Sequence, residues 1–250
     1  MRRVARILVC ILGLLVVGAG GLFYGIGWFG GPIMTDVPAQ AAPPAAERDI
    51  AAVLLSGDLG FHIRMAGATA GHLADAGIPA VGINSLTYFA RQRSPADATR
   101  LIEAAMIRAM RTTGRHRIVL IGQSFGADML HVGLEALPPP LRAHVALVAL
   151  VVPSSNVVMQ ASPGEIMPTS APEADALRTA GQLGWSHTLC VYGVEETDSL
   201  CPRLEVPNLT RVALPGGHGL HRDTDALARV LLGAIAHAAA AFPSRAISGT

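Results

Sequence analysis

The chain has 250 residues, room for one α/β domain and a short appendage, with 19 basic residues against 18 acidic ones. Every basic residue is arginine, and a net charge of +1 gives no electrostatic case for a nucleic-acid partner. Mean hydropathy is +0.43, high for a water-soluble chain, and the excess lies at the start.

From Ile7 to Phe29 no residue is charged, and Arg2, Arg3 and Arg6 precede the run. A helix of that length crosses a bilayer, and the arginines hold its start in the cytoplasm, which sends the rest outward. Residues 1–31 therefore read as a signal anchor in the inner membrane, with the competing reading a signal cleaved near Ala39-Gln40-Ala41. Residues 32–48, rich in proline and alanine, read as a tether; 49–243 as the folded domain; and 244–250 as a flexible tail.

The domain opens on Ile50-Ala51-Ala52-Val53-Leu54-Leu55, a continuous apolar run that fits a strand buried on both faces of a parallel sheet. Ser56-Gly57-Asp58-Leu59-Gly60 follows, and we expect Asp58 or Leu59 to supply a backbone N–H to an oxyanion hole, with Asp58 also a candidate substrate contact. A helix over 65–76 leads to a strand over 80–83 and then a loop from Asn84 to Phe89. Pro95 opens a helix ending by Gly114, with Leu101, Ala104, Ala105 and Ile107 as its apolar positions.

Arg117-Ile118-Val119-Leu120-Ile121 then runs into Gly122-Gln123-Ser124-Phe125-Gly126, with an apolar helical stretch behind it. A G-x-S-x-G turn between strand and helix exposes a serine hydroxyl at a helix N-terminus, where the Phe125 N–H and the helix dipole favour a developing negative charge. Ser124 is the candidate nucleophile. Asp128, one helical turn on, is a candidate substrate contact or a favourable first-turn charge. Another apolar strand spans 145–152, and residues 153–181 read as a surface loop or a flap over the site.

The strand over 188–192 ends in Gly193-Val194-Glu195-Glu196-Thr197-Asp198, and the strand over 209–214 ends in Pro215-Gly216-Gly217-His218. Nucleophile, acid and histidine thus follow in the order that this kind of hydrolase uses, each just after a strand. His218 is the candidate base, with His221 and His62 as rivals. The acid is Asp198 or Glu196; Asp198 is favoured for its shorter side chain, and Glu195 is a possible substrate contact. Cys190 and Cys201 flank the acid loop and can form a disulfide bracing it in an oxidising compartment. Thr224 is expected to cap a last helix to about Ala241. No metal and no cofactor is expected.

These motifs together resemble the VirJ/AcvB family of bacterial exported α/β-hydrolases. Those carrying the likeness are Ser-Gly-Asp-Leu-Gly-Phe from Ser56, Gly-Ile-Asn-Ser-Leu-Thr-Tyr-Phe from Gly82, Gly-Gln-Ser-Phe-Gly-Ala-Asp from Gly122, the cysteine-framed acid loop from Cys190 and Pro-Gly-Gly-His from Pro215. The resemblance implies an α/β-hydrolase fold without a large lid domain: a mostly parallel central sheet with helices on both faces. It implies a periplasmic serine hydrolase tied to virulence and type IV secretion, which cleaves the aminoacyl ester of lysyl-phosphatidylglycerol and has envelope or secretion proteins as possible partners. Ser124, His218 and Asp198 match its nucleophile, histidine and E-x-D aspartate. Leu59 and Phe61 depart from the family's usual glycine and tryptophan, and Asn84 stands where an aspartate is common. A general esterase or thioesterase and a non-catalytic binding protein are the alternatives.

Overall fold

The computed structural model describes residues 2–62, 65–162 and 173–241. It begins with a helix, α1 (Arg2–Gly25), followed by a short edge strand, β1 (Met34–Val37). Then come β2 (Ile50–Leu55), α2 (Met65–Asp75), β3 (Ala80–Ile83), α3 (Ser85–Phe89), α4 (Pro95–Thr113), β4 (Arg117–Gln123) and α5 (Phe125–Leu134). The chain continues through α6 (Pro139–Arg142), β5 (Val145–Val151), β6 (Asn156–Val157), β7 (Ala174–Asp175), α7 (Ala176–Ala180), β8 (Thr188–Gly193), β9 (Leu209–Leu214) and α8 (Thr224–Ala241).

Seven strands form one sheet in the order β1-β3-β2-β4-β5-β8-β9, parallel except for β1, which runs antiparallel to β3. Alternation along the strands divides the core in two. Ala51, Val53 and Leu55 of β2 face a cluster with α4, α5 and α7, while Ile50, Ala52 and Leu54 face one with α2 and α8. This is the two-faced parallel sheet that the apolar strand runs predict.

Some local expectations are corrected. Within α4 the buried face is Ala98, Leu101, Ile102, Ala105, Met106 and Ala109, a three-and-four spacing, so Ala104 and Ile107 point outward. Asp223 caps α8 by accepting the Ala226 N–H at 2.8 Å, and Thr224 is the first helical residue. The 84–89 stretch is mostly the short helix α3, started by Asn84, whose Oδ1 accepts the Thr87 N–H at 3.2 Å.

The expected tether is built into the domain. β1 pairs with β3, the Gln40 N–H donates to Ala74 O at 2.8 Å, and the backbone of Ala41 to Pro43 packs against Gly77. Its alanines and prolines hide a strand too short for its periodicity to register. Of the 153–181 stretch, expected to be a surface loop or a flap, the described parts form the two-residue β6/β7 pair and α7; its residues 163–172 and the 244–250 tail lie outside the described residues.

Candidate active site

The sharp turn at Ser124 follows from packing. Ser124 has φ 54 and ψ −128, a conformation an L-residue adopts only when its surroundings force it. A Cβ on Gly122 would lie 2.5 Å from Gly126 O, and one on Gly126 would lie 2.3 Å from Ser56 O. Strand and helix therefore close on each other only with glycine at both positions. The Ser124 N–H donates to Val151 O at 2.8 Å, which ties the strained residue to the end of β5.

Ser124 Oγ lies 2.7 Å from His218 Nε2, and His218 Nδ1 lies 2.5 Å from Glu196 Oε1. With the carboxylate on Nδ1, that nitrogen carries the proton and Nε2 is left to accept the serine proton. The Glu196 side chain is 7% exposed and that of His218 43%, so the orienting carboxylate is shielded while the imidazole opens to solvent. The loops after β8 and β9 hold both residues. The Glu195 N–H donates to Gly216 O at 3.1 Å, and the Glu196 N–H to Gly193 O at 3.0 Å.

Asp198 is not the partner of His218, which corrects the expected choice of acid. Its carbonyl accepts the Ser155 N–H at 3.1 Å, the Leu200 N–H donates to Pro153 O at 3.0 Å, and Ser154 bridges Ser199. These contacts pin 198–200 beside 153–155, and the Asp198 side chain lines a surface hollow with Ser155, Glu173 and Arg203. Glu196 comes off the strand earlier, and its longer side chain spans the remaining gap.

Asp58, Leu59, Ser124 and His218 share one cavity of about 90 Å³. Phe125, the first residue of α5, presents one of the backbone N–H groups that a helix leaves without an internal partner. Asp58 and Leu59, expected at an oxyanion hole, are thus brought to Ser124.

Two expected substrate contacts are elsewhere. Asp128 is buried beneath the site, where its Oδ1 accepts the Ser154 N–H at 2.9 Å. Burial pushes its carboxyl well above the usual range, and its enclosed position keeps it from contact with a substrate in the cavity. Glu195 is exposed at the surface, its Oε1 3.9 Å from His221 Nε2, which accounts for His221 as well. His62 stacks edge-on against Phe61 at 5.4 Å between ring centres.

Sequence reasoning missed His131. It is fully buried one turn beyond Asp128, its Nδ1 2.8 Å from Thr179 Oγ1, and burial lowers its pKa to about 3. Its position three residues after an aspartate on the nucleophile helix was the available signal. The expected disulfide is formed between Cys190 on β8 and Cys201, with Cα atoms 5.5 Å apart, and it closes the loop that carries Glu196.

Comparison with solved structures finds the same fold at low identity. MenH from S. aureus superposes with TM-score 0.59 at 12% identity, over 83% of this chain and 99% of that one. Proline iminopeptidase from Mycobacterium smegmatis gives 0.58 at 11%, over 83% and 95%. Est1E from Butyrivibrio proteoclasticus gives 0.54 at 14%, over 81% and 94%. The fold is that of the α/β-hydrolases. Comparison with curated proteins finds no match. The family model described as "Bacterial virulence protein (VirJ)" matches residues 49–239, which is the whole sheet from β2 onward with its site, and the chain belongs to the VirJ family.

Proposed function

We propose that the protein is a serine hydrolase that cleaves an ester through an acyl-enzyme, with Ser124 as nucleophile, His218 as acid and base, and Glu196 as the orienting carboxylate. The observation that carries this reading is the unbroken chain from Ser124 Oγ through His218 to Glu196, at 2.7 and 2.5 Å. His218 Nε2 takes the hydroxyl proton as Oγ attacks the carbonyl carbon, and the oxyanion is held by the N–H of Phe125 and one from the Asp58-Leu59 loop. The intermediate collapses, the ester C–O bond breaks, and His218 returns the proton to the leaving alcohol. Water then attacks the acyl-enzyme with His218 again as base, which frees the carboxylic acid and restores Ser124.

The substrate we assign is an aminoacyl ester of phosphatidylglycerol, lysyl or alanyl, with free amino acid and phosphatidylglycerol as products. The resemblance to the VirJ/AcvB family supports this. We place the enzyme in the periplasm, held to the inner membrane by α1. The side chains of Ile7 and of the apolar residues from Ile11 to Leu22 are exposed, arginines precede them, and the disulfide suits an oxidising compartment.

The test is a fluorophosphonate probe on wild type beside Ser124→Ala, then aminoacylated phosphatidylglycerol in mixed micelles. Labelling lost in the mutant, with amino acid released by wild type alone, is the expected result. Labelling without lipid turnover would leave a general esterase or thioesterase, and no labelling would leave a binding protein of hydrolase fold.

A further inference from the structure

The link between α1 and the domain has no slack, and it lands beside the catalytic loop. Asn84, at the C-terminal end of β3, is only 6% exposed, and its Nδ2 donates to Ile26 O at 3.1 Å. Thr87 Oγ1 donates to Gly27 O at 2.9 Å, and the Asn84 N–H donates to Ile33 O at 2.8 Å, just before β1 joins the sheet. Ile26 is buried in the core cluster, with Phe23 and Trp28 packed against it.

The Ile26 carbonyl also touches the wall of the site. A Cβ on Gly60, which lines the cavity with Ser124, would lie 2.6 Å from Ile26 O and 3.2 Å from Asn84 Oδ1. The end of α1 is therefore fitted against the 57–60 loop. Upstream, the helix leaves the domain, since Ile7, Ile11, Leu12, Leu14, Leu15 and Leu22 are all exposed. Tyr24 and Phe29 are exposed where it meets the domain, and Phe23 and Trp28 pack edge to face, an aromatic group suited to the boundary between lipid and water.

The uncharged part of α1, from Ile7 to Gly25, makes about 28 Å of helix, close to the hydrocarbon core of about 30 Å, so it leaves nothing over. The C-terminal ends of β2, β3 and β4 carry the 57–60 loop, Asn84 and Ser124 respectively, all on one edge of the sheet.

We propose that Ile26 and Gly27, clamped by Asn84 and Thr87, seat this catalytic edge against the bilayer that α1 crosses. The site then draws its ester from the outer leaflet of the protein's own membrane. This rests on the reading of α1 as an uncleaved anchor. Asn84 acts as a positioning residue: its amide can donate to a carbonyl and accept from an N–H at once, which a carboxylate cannot do.

The test uses the full chain reconstituted in phosphatidylglycerol/phosphatidylethanolamine liposomes containing a nickel-chelating lipid. Nitroxide labels are placed in a Cys10→Ala background at Arg91→Cys, just beyond α3 on the catalytic edge, or at His116→Cys on the opposite edge; both positions are exposed. The seven-residue strand β4 separates the edges by about 20 Å. Relaxation by the lipid-borne nickel at position 91 and little at 116 is the expected result, and Asn84→Ala should shrink that contrast while circular dichroism stays unchanged. Equal relaxation, the reverse order, a contrast untouched by Asn84→Ala, or an intact mass showing that the chain starts beyond Trp28 would each overturn the proposal. The labels report no turnover. A lack of hydrolysis thus counts against the proposed activity alone, and a reversed contrast in an active enzyme against the seating alone.

Discussion

Glu196 Oε1 lies 2.5 Å from His218 Nδ1, and the loops of the two residues are joined by the Glu195 N–H to Gly216 O bond at 3.1 Å. The carboxylate sets the imidazole tautomer, so an amide in its place presents the wrong one. Glu196→Gln should lower kcat on a p-nitrophenyl ester by about 10³ to 10⁴. Asp198→Asn should change it by less than about threefold, because Asp198 meets its neighbours mainly through its backbone. Steady-state kinetics on both variants decide which carboxylate serves the histidine.

The turn at Ser124 should tolerate no added methyl group. In Gly126→Ala the new carbon would meet Ser56 O at 2.3 Å, a backbone atom that cannot swing away. We expect a loss of about 1 to 3 kcal/mol in urea unfolding and a lower kcat. Gly233→Ala, in the exposed middle of α8 with open space around it, should instead stabilise by about 0.5 to 1 kcal/mol.

Acid should unfold the protein partly through His131. The unfolded chain takes up a proton at this imidazole near pH 6.5 and the folded one only near 3, so stability falls as pH drops through that window. His131→Gln, which cannot titrate, should move the acid-unfolding midpoint to lower pH. Asp128 has the opposite sign. Its raised carboxyl keeps a proton that the unfolded chain loses above about pH 4, so its contribution declines as pH rises from there toward the folded value. Asp128→Asn should flatten that decline in a stability profile taken by urea titration at several pH values.

Reduction of Cys190–Cys201 frees a loop spanning a sequence separation of 11. Chain-entropy reasoning puts the loss at about 3 kcal/mol, to be read as a lower midpoint in urea with dithiothreitol or in the Cys190→Ala/Cys201→Ala double variant.

The sheet and the sharp turn at Ser124 were legible because both are dictated locally. Strands buried on two faces must be apolar throughout, and the strained serine needs glycines at fixed offsets. His218 was legible for the same reason, lying on a glycine-rich loop after a strand. The choice between Glu196 and Asp198 was not, because it depends on where 198–200 is pinned by 153–155, a contact between segments more than forty residues apart. Composition hid β1 as well, since a four-residue edge strand among prolines and alanines has no period to detect. Asp128 and Glu195 were misplaced because charge in the sequence does not reveal which way a side chain faces.

Ser124 and His218, the proposed nucleophile and base, hang from strands of unequal security. β4, which ends at Ser124, lies mid-sheet with Ile118 to Gly122 buried, whereas β9, which precedes His218, is the outermost strand, and none of its residues is fully buried. Edge segments of this kind open locally at a fraction of the free energy of global unfolding. Warming should therefore disconnect the base while the serine still sits on an intact core, and hydrolysis should disappear several degrees before the sheet does.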